Sequence, residues 1–233
     1  MLNKNQLILE DLDPDFKVIL EPVPNLVTIP ETFQNEVFNK ALESKALFNG
    51  TLVCVKNFSQ KLITTYTLSF KEFLAANHLP GYPHKHKPLA VSGWILHRDR
   101  VLLGVRSRQV LFFPGFLELV PSGGIDGRAL SENGEVDYEQ ALIAEFEEET
   151  GMSSDVIERV TPETLVFCRS KSLFDICQSI HLDSSQEIDC DTCNEEYSKL
   201  FWVPLKELEE FILGQDRKIV PTSLALIKDK ILS

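Results

Sequence analysis

Glu145, Glu148 and Glu149 stand at i, i+3 and i+4 in Ala141-Leu-Ile-Ala-Glu145-Phe-Glu-Glu148-Glu149-Thr-Gly151-Met152. On a helix that spacing places their side chains on one face, where like charges cost stability. A hard divalent cation such as Mg²⁺ takes carboxylate oxygen, keeps several waters, and would reverse that cost. The plainer reading is a solvated acidic stripe, since glutamate is a good helix former. Leu142, Phe146 and Thr150 turn elsewhere, the first two into a core, and Gly151 ends the helix in the left-handed conformation that a residue without a Cβ adopts cheaply.

Upstream elements favour the metal. Leu117-Glu-Leu-Val-Pro121-Ser-Gly123-Gly124 reads as an apolar strand entering a glycine turn, followed by a polar loop to Gly134-Glu135 and then the acidic helix. This ordered series resembles the Nudix box, Gx5Ex7REUxEExGU. Glu145, Phe146, Glu148, Glu149, Gly151 and Met152 match its second half. The first half departs: ten residues separate Gly124 from Glu135 where the pattern has five, and nine separate Glu135 from Glu145 where it has eight. Ala144 replaces the arginine that in the family pairs with the earlier glutamate, so Asp137 is an alternative to Glu135 as the loop acid.

A chain of 233 residues can bury a full core in one or two domains. Its net charge of −12 argues against general nucleic-acid binding, which needs Lys and Arg to displace counterions. A small anion bridged by Mg²⁺ remains compatible with that charge. No apolar run is long enough to span a bilayer, and Met1-Leu-Asn-Lys-Asn-Gln lacks the apolar region of a signal peptide, so a cytoplasmic protein without membrane contact is expected. Five cysteines, an odd set, suggest free thiols in a reducing compartment. Cys190-Asp-Thr-Cys193 has metal-ligand spacing, but no second pair completes a zinc site.

Along the chain, strands are predicted at Phe16–Leu20, Leu26–Ile29, Thr51–Val55 and Leu62–Leu68. Helices are predicted at Glu31–Leu47 and Ser69–Ala76, the second opened by a Ser69/Glu72 capping box. Leu79–Pro88 is rich in Pro and Gly and marks a boundary, giving an N-terminal αβ unit over 1–87 and a second unit over 88–233. His84-Lys-His86 reads as an exposed basic loop, with Lys85 and Lys87 as weak phosphate candidates. A hairpin at Leu89–Val105 follows, then strands at Glu163–Cys168, Phe174–Leu182 and Leu200–Val203 and helices at Pro204–Ile212 and Thr222–Leu232. The Nudix resemblance implies an α/β/α sandwich with a mixed sheet for the second unit.

Further motifs narrow the resemblance. Arg106-Ser-Arg108-Gln109-Val110 precedes a Pro114-Gly115 turn, and two arginines at i and i+2 of a strand would face diphosphate oxygens together. With Leu47-Phe48 and Ser69-Phe-Lys-Glu-Phe73-Leu-Ala-Ala-Asn77, this stretch is similar to the Nudix subgroup that hydrolyses UDP-glucose and UDP-galactose to UMP and hexose 1-phosphate, a subgroup that also lacks the box arginine. The resemblance implies Mg²⁺, or Mn²⁺, held by Glu145, Glu148, Glu149 and Glu135, with Glu145 or Glu196 as the base and Glu195 in reserve for Glu196. It implies a nucleoside diphosphate sugar contacted by Arg106, Arg108, Gln109, Gly123, Gly124, Phe48 and Phe73, with Asn77 a further base contact. Hydrolysis of another diphosphate such as ADP-ribose, or a noncatalytic binding module on the same fold, are the alternatives.

Overall fold

The computed structural model describes residues 7–43, 48–110, 112–190, 194–216 and 218–232. Leu47 and Cys193, which carry part of two motifs above, lie outside the described residues, as does the Met1–Gln6 stretch.

A large mixed sheet runs in the order β1 (Leu7–Asp11), β9 (Ile157–Cys168), β10 (Leu173–Leu182), β5 (Leu89–His97), β6 (Arg100–Arg106), β11 (Tyr197–Pro204). Two short strands complete it: β7 (Leu117–Leu119) on β6 and β8 (Ser122–Gly124) on β5. β5 is parallel to β10 and antiparallel to both β6 and β8. Its partnership with β6 is confined to Leu96–His97, and β8 takes up Ala90–Ser92 at the other end. The strands part there, and the glycine segment enters the gap.

A smaller sheet, β2 (Lys17–Leu20), β4 (Leu62–Ser69) and β3 (Thr51–Phe58), packs through Phe16, Val18, Val53 and Ile63 into the same core as Leu89, Leu142 and Phe146. Helix α1 (Glu31–Leu42) lies against α2 (Phe70–His78). The capping box is formed: Ser69 Oγ accepts from the Glu72 backbone N–H, and Glu72 Oε2 accepts from that of Ser69. Helix α3 (Tyr138–Thr150) crosses β5 and β8, while α4 (Leu208–Leu213) and α5 (Pro221–Leu226) pack on the second core with Trp94, Leu103 and Leu119.

Several expectations change. Leu26–Ile29 forms no strand and runs irregularly from Glu21 to Pro30, where three prolines remove ladder donors. Leu7–Asp11, which has no alternation to mark it, is an edge strand antiparallel to β9. The expected C-terminal helix becomes α5 followed by a π-turn at Ile227–Ile231. His86 is buried at 5% exposure, where its Nδ1 meets the Tyr66 hydroxyl at 2.8 Å. No helix among the described residues is long and apolar enough to cross a membrane. The thiols of Cys54, Cys168 and Cys177 are free and buried.

Candidate active site

Helix α3 presents the acids. Asp137 is its N-cap, with Oδ1 accepting the Gln140 N–H at 2.9 Å, and Gly151 at φ 70° closes it by an N–H bond to Glu147 O at 3.0 Å. Leu142 and Phe146 are fully buried as expected, but Glu149 follows them inward, at i+7 from Leu142 and only 2% exposed. The Ser122 N–H of β8 meets Glu149 Oε2 at 3.1 Å, and Oε1 has no donor among the described residues. A buried carboxylate oxygen without a donor is costly unless a proton or a cation takes it. Burial, then Glu118, Glu196 and Glu145, hold the Glu149 carboxyl well above the usual carboxylate range.

Glu145 is packed against the same strand: a Cβ on Gly123 would run into its carboxyl group. Only a glycine lets α3 bring that carboxyl so close to β8, and Gly124 is under no such constraint. Burial, then Glu148 and Glu196, push Glu145 up to about 7. Glu148 is more exposed and receives the Arg128 Nη1 at 2.8 Å, and Arg128 Nε also meets Asp126 Oδ2 at 3.0 Å. Opposite, the loop before β11 carries Glu196. Asn194 Oδ1 accepts the N–H groups of Glu196 (2.9 Å) and Tyr197 (2.7 Å), while its Nδ2 donates to the Glu149 carbonyl, tying this loop to the end of α3. Burial raises Glu196, Arg106 lowers it, Glu118 and Glu148 raise it again, and a side-chain hydrogen bond with Glu149 lowers it.

Glu145, Glu148, Glu149 and Glu196 thus share one electrostatic neighbourhood. Glu135 is elsewhere: it sits opposite Ile19 of β2, takes Asn133 Nδ2 at 3.1 Å and lies 3.8 Å from Lys17. The loop acid facing Glu145 is Asp126, and Asp137 is committed to its helix cap. The two arginines do not share a strand face. β6 ends at Arg106, whose guanidinium pairs with buried Glu118 and donates from Nε to Phe112 O at 3.0 Å, whereas Arg108 and Gln109 are exposed in the turn that follows. Phe48 is 86% exposed, and Phe73 packs beside Phe70. Among the described residues, no three acid, histidine or cysteine side chains converge on one point as metal ligands, Glu148 being turned toward Arg128.

Glu118, Tyr197 and Asn194 escaped the reading by motif. Glu118 had a usable signal: a carboxylate inside Leu-Glu-Leu-Val is buried only with a partner. Its partners are Arg106 and the Tyr197 hydroxyl at 2.9 Å.

The model of the NUDIX domain matches residues 86–223, more than half of the chain. Among solved structures, a Deinococcus radiodurans protein superposes with a TM-score of 0.52 at 15% identity, over 77% of this chain and 99% of that chain. Tm1382, a protein itself assigned only provisionally as a Nudix hydrolase, gives 0.51 at 14% identity, over 82% of this chain and 95% of that chain. No curated protein matches in sequence. At such identities the superpositions speak for the fold alone; the match over residues 86–223 shows that the chain belongs to the Nudix family.

Proposed function

We propose that the chain hydrolyses the diphosphate of UDP-glucose or UDP-galactose, giving UMP and the hexose 1-phosphate, with Mg²⁺ or Mn²⁺ as cofactor. The observation that carries this reading is Glu149, buried with one oxygen lacking a donor, beside a Glu145 carboxyl seated on a glycine. All-oxygen donors of this kind suit a hard divalent ion, and Glu145, Glu148 and Glu149 would hold it, with Glu196 close by. Held there, such an ion would offset the diphosphate charge and lower the pKa of a water beside it.

The chain's own groups do the rest. Glu145 or Glu196 accepts a proton from the water that attacks phosphorus, the bridging P–O bond breaks, and the leaving phosphate keeps the electron pair. Because Arg106 is held by Glu118, Arg108 is the arginine free to meet the phosphates as charge develops. Glu135 is left out of the metal set. The uridine assignment rests on the Arg106-Ser-Arg108-Gln109-Val110 and Ser69–Asn77 motifs. We place the working division near residue 87, with the first unit serving the substrate and the second the chemistry, in a cytoplasmic protein.

The test is incubation of the purified chain with UDP-glucose and Mg²⁺, with and without EDTA, beside ADP-ribose and the variant Glu149→Gln. UMP and glucose 1-phosphate, lost with EDTA and in the variant, are expected. Cleavage of ADP-ribose alone would discard the uridine assignment, and turnover of neither would leave a binding module.

A further inference from the structure

A second cavity is distant in sequence from the acids. About 550 Å³ lies between the irregular Val23–Ile29 segment, the start of α2, and strands β3 and β4. That is within the roughly 300–1,000 Å³ of small-molecule sites. Its lip carries Val23 and Val27, each 51% exposed, large apolar side chains that a monomer gains nothing by leaving in water.

Of its polar lining side chains, Gln34, Asn49, Glu72 and His86 are each fixed by one end. Gln34 Nε2 donates to Ile29 O at 2.9 Å, leaving its oxygen to accept. Asn49 Oδ1 accepts the Lys71 N–H at 2.9 Å, leaving its NH₂ to donate. Glu72 Oε2 is occupied by Ser69, which leaves Oε1. The Tyr66 hydroxyl and His86 Nδ1 are paired at 2.8 Å, which leaves His86 Nε2 for a ligand. Donors and acceptors held in place between apolar walls suit a flat ring with a polar edge. No lysine or arginine is among the described lining residues, so a phosphate has no partner here.

One wall of the cavity adjoins the segment that carries Asp126 and Arg128. Thr51 lines the cavity, and the Thr51 side chain stands 3.5 Å from where a Cβ would project from Gly127. Gly127 lies between Asp126 and Arg128, and Arg128 is bonded to Glu148.

We propose that this cavity seats the uncharged nitrogen heterocycle of the substrate, its nucleobase, through Gln34, Asn49, Glu72 and His86. The identity of that heterocycle as a substrate part rests on the function proposed above, while the cavity's affinity for a nucleoside does not. The probe is uridine, which carries no phosphate, titrated into the full chain by calorimetry, with adenosine in parallel. Thr67→Trp fills the cavity, and Asn49→Ala and Gln34→Ala, which remove single contacts, serve should the bulky variant fail to fold.

Uridine or adenosine binding that weakens at least tenfold in these variants is expected, with KM for the matching nucleoside diphosphate sugar raised by the same factor and kcat within twofold. Nucleoside binding without any hydrolysis would keep the cavity assignment and sink the hydrolase reading. Hydrolysis with KM unchanged in all three variants would keep the enzyme and overturn the cavity, as would the absence of nucleoside binding at millimolar concentration.

Discussion

Arg106 and Glu118 form an ion pair under the acidic cluster, Nη1 donating to Oε2, with both side chains almost closed to solvent. The Tyr197 hydroxyl adds a second donor to the same oxygen, and its ring lies beneath the guanidinium at 5.9 Å. Glu118 is itself one of the charges that raise Glu149, so Arg106 compensates for a carboxylate that the acidic helix would otherwise face unpaired.

Removing the cation alone should therefore be worse than removing both charges. Arg106→Ala is expected to cost about 3–5 kcal/mol in unfolding free energy, the usual penalty for stranding a buried charge. Arg106→Met combined with Glu118→Leu should cost clearly less. Urea unfolding of the two variants decides this, and equal losses would show that Glu118 finds another partner.

Gly123→Ala asks whether the approach of β8 to α3 matters for chemistry. The backbone of Gly123 needs no left-handed φ, so an alanine is not strained by itself, but its Cβ would occupy the place of the Glu145 carboxyl. Glu145 must swing away, and Mg²⁺-dependent turnover should fall by about a hundredfold, the scale set by a misplacement of about 1 Å. Gly124→Ala, which meets nothing within 4 Å, is the matched control and should keep near-normal rates. Equal rates in both variants would remove Glu145 from the site.

The acidic helix was legible because its spacing, its glycine stop and the upstream glycine strand are all local signals. The Thr51–Val55, Leu62–Leu68 and Leu89–Leu96 strands were legible for the same reason. What the chain does not advertise is set by contacts between distant segments. Glu135 falls near a motif position, yet the long loop pairs it with β2 and gives the place facing Glu145 to Asp126. Arg106 and Arg108 read as one strand face because nothing local shows that β6 stops at Arg106. His86 read as a solvated basic loop because Tyr66, its partner, is 20 residues away.

The raised carboxyls set a pH dependence of stability. Glu145, ordinarily near 4.5, is held at about 7, and Asp175, ordinarily near 3.8, is pushed by burial to about 7. The native state binds these protons more tightly than the unfolded chain, so their contribution is full below the unfolded values and is lost as pH rises through the folded ones. The imidazoles of His86 and His181, lowered by burial, work the other way in this window, but the raised carboxyls of Glu149 and Glu196 add to those of Glu145 and Asp175 and outnumber them. In EDTA, Tm should fall between pH 5 and pH 8. Mg²⁺ should raise Tm more at pH 8 than at pH 5.5, because protons and metal compete for the same oxygens. Calorimetric scans at both pH values check this, and a Tm that climbs with pH in EDTA would mean that the acids are not buried as described.

Arg128 and Ala144 border the same void. The Nudix pattern has an arginine at the Ala144 position, and here a void of about 220 Å³ opens there, bordered by Asp126, Arg128 and Glu145. Arg128 supplies a guanidinium to the helix from the loop side, through Glu148. This pair is largely exposed, so Arg128→Ala should change stability by no more than about 0.5 kcal/mol. It should nonetheless lower kcat, because Glu148 loses the group that orients it. Ala144→Arg should fold, since the side chain has space, and in the Arg128→Ala background it should restore part of the lost rate by returning a cation beside Asp126 and Glu145. Steady-state kinetics of the two single variants and the double variant test the exchange: a double variant no faster than Arg128→Ala would show that the side of the helix from which the guanidinium comes matters as much as its charge.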